Sequence, residues 1–311
     1  MQNLCRKGIN PADRGALWYL LSGGRHLQQE QPFLFENALE AAFESHVPAR
    51  ITRAVPIFGG PAHTFRHPLT PAGIDTRDRL LYLISHTQPD LEYCPALVPL
   101  VSMMLLYMSE SQVFYAVSAM LNRTRSERWY FTVAKARALL YATTFRALLE
   151  QRSPKVLQHM ETDLGINFPN LIESLFNSLF LFSFNYPVVH HLLDVYMGEG
   201  TKILYRVSLA LFDEARKDIA AATTAKDCLE ALERTARREG SQLIRKGLAI
   251  RGLAREHFVH LEQQHEDIMR SVPALTEFGG QPLAVKDGPT ATGPGDGGEI
   301  VAASTSTEIL Q

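Results

Sequence analysis

The run Asp90-Leu91-Glu92-Tyr93-Cys94-Pro95-Ala96-Leu97-Val98-Pro99-Leu100-Val101-Ser102-Met103-Met104-Leu105-Leu106-Tyr107 constrains the fold more than any other stretch. It is almost wholly apolar after a polar opening, yet too short to span a bilayer. With no polar face to present to water, it predicts a central helix buried among other helices. Amphipathic stretches on both sides supply candidates to surround it. With 46% apolar and 21% charged residues in 311, the chain can afford a sizeable core, as one large helical domain or two small ones.

Helix signals recur along the chain. Asn10 is a candidate N-cap, Pro11 fits the first turn, Asp13 suits the positive dipole end, and Gly23-Gly24 closes the segment. Helical spacing is also read over 32–45, 75–87, 110–122, 126–151, 154–164, 188–197, 201–217, 225–238 and 241–271. The aromatic run over 168–186 (Phe168, Phe176, Phe180, Phe182, Phe184, Tyr186) reads as core, ended at Asn185-Tyr186-Pro187. Residues 46–75 are rich in Pro, Gly and His and read as a long surface connection of the kind that carries function. From Gly279 the composition turns to Gly, Pro, Ser and Thr without apolar periodicity, so 279–311 is expected to be a disordered tail and 1–275 the helical domain. No strand-like alternation survives, and the fold class is all-α. No solenoid-length repeat stands out, although helix pairs of varying length leave a repeat architecture open.

Several classes of function are excluded. The net charge of −2 gives no general attraction to nucleic acid or to a membrane surface. Cys5, Cys94 and Cys228 are scattered and lack C-x-x-C spacing, which points away from a disulfide framework or zinc and toward a reducing cytosolic compartment. The N-terminus has no apolar signal core, and no stretch reaches transmembrane length, so a soluble intracellular protein is expected. Phosphate-loop, dinucleotide, zinc-protease and nucleophile-elbow motifs are all missing, and the adjacent His190-His191 pair diverges on a helix and chelates poorly. A self-contained enzyme with its own catalytic apparatus is not expected.

Cations mark the candidate sites. Val47-Pro48-Ala49-Arg50-Ile51-Thr52-Arg53 is a basic loop that spacing alone reads as a solvated surface. Lys202 and Arg206, four apart, share one face of an otherwise apolar helix, with Lys202 in the first turn. A cation there is useful if an anion visits the same place. The alternative is that both side chains reach solvent or pair with carboxylates such as Glu199. Arg14 opens the first helix beside apolar neighbours.

Linked blocks resemble a known family. Lys7-Gly8-Ile9-Asn10-Pro11, followed by Arg14-Gly15 and Trp18, is similar to the opening R-K-G-I-P-x-x-x-R-G-x-x-W of the TBC domain, the all-helical Rab GTPase-activating domain. Tyr93-Cys94-Pro95-Ala96 stands where that family has Y-x-Q-G-M. His191-Leu192-Leu193-Asp194, then Glu199-Gly200 and Ile203-Leu204-Tyr205-Arg206-Val207, resembles its R-I-W-D … E-G-x-x-V-L-F-R-V block. The resemblance covers residues 1 to about 255. It implies a multi-helical TBC domain that acts, without a cofactor, on the nucleotide site of a Rab-family small GTPase. There an arginine neutralises charge on the transferring phosphoryl group and a glutamine positions water.

Arg53-Ala54-Val55-Pro56 falls at the arginine position, but Arg50 replaces the aspartate that orients it, and Pro95 replaces the glutamine. Proline has no side-chain amide and no backbone N–H, so it cannot orient water. The sequence resembles more particularly the Skywalker-like TBC–TLDc subgroup, with Cys94-Pro95-Ala96-Leu97 at this position and no counterpart of the TLDc domain in the chain. That resemblance implies a role in vesicle traffic with weak or lost GTPase-activating activity. Localisation would be cytoplasmic, peripheral on vesicle or endosomal membranes. It also implies a phosphoinositide-binding pocket using Arg14, Lys202 and Arg206, and hence the alternative of a non-catalytic membrane adaptor. A helical scaffold for protein contacts is a third possibility.

Overall fold

A computed structural model describes residues 1–253, except 45, 53–54, 57, 60–68, 123–128, 130–134 and 182, together with Leu261 and Gln263. Arg53 and the expected tail over 279–311 lie outside the described residues. All described residues belong to one compact unit, Met1–Val272, and among them there is no strand.

Thirteen α-helices are described. The first five are α1 (Gln2–Lys7), α2 (Pro11–Ser22), α3 (Gly24–Glu30), α4 (Leu34–Phe43) and α5 (Pro71–Thr87). Then come α6 (Leu97–Met104), α7 (Glu110–Leu121), α8 (Lys135–Arg152) and α9 (Pro154–Gln158), which runs into a π-helical turn over His159–Asp163. The remainder are α10 (Phe168–Asn177), α11 (Tyr186–Glu199), α12 (Lys202–Ala221) and α13 (Ala225–Ala249).

Local chemistry explains the boundaries. Asn10 accepts the amide of Ala12, Thr70 that of Gly73, Asn167 that of Asn170 and Asn185 that of Val188, and a proline opens each of the four helices that follow. A first-turn proline sacrifices an N–H that has no intrahelical partner, and its fixed φ suits the helix. Gly23 closes α2 in the left-handed conformation that glycine adopts without a Cβ clash. The chain then re-enters helix at once as α3.

The central apolar run forms a much shorter helix than its composition suggests. Only Leu97–Met104 is helical, and all eight of its residues are buried. Pro99 is tolerated because it is the third residue, where the amide would be orphaned anyway. The one hydroxyl, Ser102, donates to the Val98 carbonyl at 2.8 Å. After Met104 the chain turns, and Tyr107 presses its carbonyl against α2, where a Cβ on Gly15 would stand 2.2 Å from that oxygen. Close approach to α2 therefore ends the helix early.

A second difference concerns Gly240, expected to separate two helices. In the structure α13 runs through it unbroken for 25 residues. A Cβ at Gly240 would lie 3.0 Å from Val188 Cγ1, so the glycine lets α13 approach α11 closely. Packing outweighs the roughly 1 kcal/mol helix penalty of glycine. Gly247 does the same against the Arg206 backbone of α12, which identifies α12 and α13 as an antiparallel pair.

The aromatic run is core. Phe145 of α8 packs among Phe168 and Phe176 of α10 and Tyr205 and Phe212 of α12, at centroid distances of 5.6–6.4 Å. Phe180 stacks on Phe184 at 5.2 Å beyond the end of α10. Phe182 lies outside the described residues.

Candidate functional site

Pro95 occupies a tight turn at the mouth of α6. The Leu97 amide donates to the Cys94 carbonyl at 3.0 Å, which makes Cys94–Leu97 a four-residue turn with proline second, the position its fixed φ favours. Pro95 is buried. The amide of Cys94 is committed to the Phe58 carbonyl at 2.8 Å, so the turn is tied to the loop that follows Arg53 in sequence. Tyr93 donates its hydroxyl to Glu173 and accepts from Asn177 Nδ2 at 3.3 Å, both on α10. Burial, then Glu173, pushes the Tyr93 pKa well above the usual phenol range, so the donor stays protonated.

Arg14 sits in a different environment. Only 7% exposed, it joins α2 to α11 through Asp194, which is fully buried. Arg14 Nε donates to Asp194 Oδ1 at 2.9 Å and Nη2 to Oδ2 at 3.1 Å. Its Nη2 also donates to the Ile9 carbonyl at 2.9 Å and its Nη1 to the Tyr107 hydroxyl at 3.0 Å. Asp194 accepts further from the Ile9 amide and the Trp18 indole, both at 2.8 Å. The guanidinium lies over the Tyr107 ring at 5.1 Å, adding a cation–π contact. His190 stands edge-on to the same ring, and desolvation, then the Arg14 charge, lowers its pKa. A buried carboxylate satisfied by four N–H donors is a structural centre for the N-terminal part of the fold.

At the start of α12, Lys202 is the first helical residue and is half-buried. Arg206, 7% exposed, donates from Nη1 to Glu199 Oε2 at 3.3 Å, and Glu199 also accepts from Arg6 Nε at 2.5 Å. The carboxylate pairing foreseen as the alternative is thus present for Arg206. Its Nε is buried without a protein acceptor. Desolvation lowers the Arg206 pKa and the nearby Arg6 charge adds to this, while Glu199 opposes both. Arg14 and Arg206 bond to different residues of α11, Asp194 and Glu199, whose backbones are about 7.5 Å apart along the helix axis.

Asp194, Tyr93 and Glu173 carry much of this geometry, and residue-by-residue reasoning gave them no role. The available signal was a lone carboxylate inside the apolar run Val188–Met197, which requires a cationic partner. Among the described residues, no group of three or more His, Cys, Asp or Glu side chains could hold a metal ion. No described helix is long and apolar enough to cross a membrane.

The molecule defined by these features is a domain whose described residues form only helices and the turns and loops between them, with a proline-bearing turn at the mouth of α6 and the flank of the basic segment bonded to it. Residues 14–220 match the family model of the Rab-GTPase-TBC domain, and the chain belongs to that family. It is 27% identical to mouse Carabin over 230 residues, which cover 73% of this chain and 50% of Carabin. It is 25% identical to the GTPase-activating protein gyp2 of Schizosaccharomyces pombe over 228 residues, covering 71% of this chain and 30% of that protein. The chain therefore spans half or less of the length of these relatives. The TBC domain of Skywalker from Drosophila melanogaster, solved in complex with inositol(1,4,5)triphosphate, superposes with a TM-score of 0.69 at 20% identity, covering 83% of this chain and 93% of that one. At that identity the likeness establishes the shared fold.

Proposed function

We propose that this TBC domain regulates a Rab-family small GTPase in vesicle traffic, with GTPase-activating activity that is weak or lost. Family membership supports the partner class. The observation that carries the reduced chemistry is the turn at Pro95. The residue is buried, and the preceding amide is already bonded to Phe58. Position 95 offers neither a side-chain amide nor a backbone N–H to a water. Residual stimulation would come from Arg53, and an arginine supplied in trans is worth roughly 10³–10⁵ in rate. The test is GTP hydrolysis across a panel of purified Rab proteins, with Arg53→Ala as the control. Slow stimulation abolished by Arg53→Ala is expected. Strong stimulation that survives the substitution overturns the reading.

A second reading is favoured by the buried, unpartnered Nε of Arg206 beside the first turn of α12. Here the domain is a non-catalytic adaptor, cytoplasmic and peripheral on membranes, with Lys202 and Arg206 binding a phosphoinositide headgroup. Arg14, the third cation of this reading, would contribute chiefly its charge, because Asp194, Ile9 and Tyr107 already accept from its guanidinium. Flotation with phosphoinositide-containing liposomes, compared with a Lys202→Glu/Arg206→Glu variant, tests it. Binding should fall with salt, and equal binding by both proteins ends the idea.

A further inference from the structure

We propose that Arg79 with Glu110, and Tyr93 with Glu173, are positioning residues that clamp the two ends of the loop segment bearing Arg53. The inference rests on the reading of Arg53 as the group offered to a GTPase.

The first clamp is a fork. Arg79, on α5, donates from Nε to Glu110 Oε1 at 2.8 Å and from Nη2 to Oε2 at 2.5 Å. This two-pronged pairing fixes the guanidinium plane as a single hydrogen bond could not. The remaining edge of that plane then points at the loop. Nη1 lies 3.2 Å from the Ala49 carbonyl and 3.4 Å from that of Pro48. Glu110 is itself held, as the first residue of α7 behind a Ser109–Gln112 capping box. Both side chains are largely shielded, so solvent screens the pair little.

The second clamp is a platform. The Cys94 amide holds the Phe58 carbonyl, and Gly59, at φ +79°, packs against the Tyr93 ring. A Cβ there would stand 2.3 Å from Tyr93 Cδ2, so the ring occupies the space a side chain would need. Phe58 is buried at φ +48°, a left-handed conformation that a bulky residue keeps only when its surroundings impose it. Glu173 and Asn177 of α10 fix the Tyr93 hydroxyl and hence the platform. The held carbonyls at Ala49 and Phe58 bracket Arg53 in sequence.

These clamps supply what the loop's own charge does not. At the position where the TBC motif has an orienting aspartate stands Arg50, paired to Asp75 at 3.7 Å with its side chain 82% exposed. A surface pair of that kind positions little. Orientation falls instead to the shielded fork and the aromatic platform.

The test combines amide hydrogen exchange with single-turnover GTP hydrolysis. It uses the full chain, the most responsive Rab of the panel, and the variants Glu110→Gln, Tyr93→Phe, Arg79→Ala and Arg79→Lys. Exchange of the 46–59 segment and of the Cys94 amide is expected to quicken about tenfold or more, as loss of a charge-assisted bond implies, while α12 and α13 stay protected. The saturating rate should fall at least as far, with the half-saturating concentration changed less than about twofold. Arg79→Lys should behave as Arg79→Ala, because lysine keeps the charge but not the fork. Rescue by lysine, or unchanged exchange, overturns the clamp. Faster exchange with an unchanged rate reduces it to a structural staple and overturns the positioning role. If the wild-type chain stimulates no Rab, the reading of Arg53 fails, and exchange alone decides whether the clamp stands.

Discussion

Replacing Asp194 by asparagine perturbs the most consequential polar centre in the molecule while hardly changing its volume. The carboxylate is fully buried and accepts from the Ile9 amide, Arg14 Nε, Arg14 Nη2 and the Trp18 indole. Asparagine removes the charge that balances buried Arg14 and turns one acceptor oxygen into an NH₂ that faces N–H donors. Breaking a buried pair by removing one partner costs about 3–5 kcal/mol, because the other charge is stranded. In a domain of this size that lowers Tm by roughly 10 °C. Against a total stability of about 5–15 kcal/mol, it is a large fraction of what holds the fold. The assay is denaturant unfolding followed by circular dichroism, with Arg14→Met and the double variant completing a cycle. A coupling energy of about 2 kcal/mol or more is expected, since both side chains share one network. The control is Glu230→Gln, whose partners Lys226 and Arg234 lie at 3.8 and 3.9 Å with all three side chains more than half exposed. That change should cost less than about 0.5 kcal/mol. If Asp194→Asn costs no more than this control, the assignment of Asp194 as a structural centre is wrong.

Two further perturbations test other parts of the framework. Gly15→Ala improves helix propensity by about 1 kcal/mol, yet its Cβ would stand 2.2 Å from the Tyr107 carbonyl, a backbone atom that cannot swing aside. A net loss of about 2 kcal/mol or more in the same unfolding assay is expected, and a stabilised variant refutes the packing argument. His159, in the π-helical turn, has Nδ1 2.7 Å from Asp163 and Nε2 3.1 Å from the Ala222 carbonyl, and the Asp163 bond raises its pKa above 6.5. Because the folded value is the higher one, its contribution is complete below the unfolded pKa and is lost as pH rises through the folded pKa. The stability difference between the wild type and His159→Gln should therefore be larger near about pH 5.5 than near about pH 8.5, and the opposite order refutes the latch.

What could be read from the chain, and what could not, follows the range of the interaction. Asn10, Gly23 and Asn185 act within a turn of themselves, and their roles as caps or breaks are visible in the bare sequence. Gly240 signals a break by the same local logic, but its reason for being there is Val188, on another helix, which the local pattern does not show. Arg14 is the sharpest case. As a lone cation beside apolar neighbours it reads as available for an anion. Its counter-charge lies 180 positions away in Asp194, inside a run that otherwise reads as uniform core. Arg206 fared better because Glu199 is seven positions away and could be named as a partner. Tyr93 and Glu173, 80 apart, gave no warning.

The short buried helix α6 ties two parts of the fold together through the residues at its ends. Its exit carries Tyr107 to the Arg14–Asp194 network, and its entry carries Tyr93 and Cys94 to α10 and to the loop. The two entry connections, to α10 and to the loop, are made by residues just before position 95, through the Tyr93 hydroxyl and the Cys94 amide. Position 95 itself contributes a φ angle and a buried ring to the turn, and proline supplies that angle at lower entropic cost than any other residue. None of the hydrogen bonds of the turn thus requires a particular side chain at position 95. Loss of Asp194 or Tyr93, by contrast, would strand the buried or part-buried partners that their side chains hold.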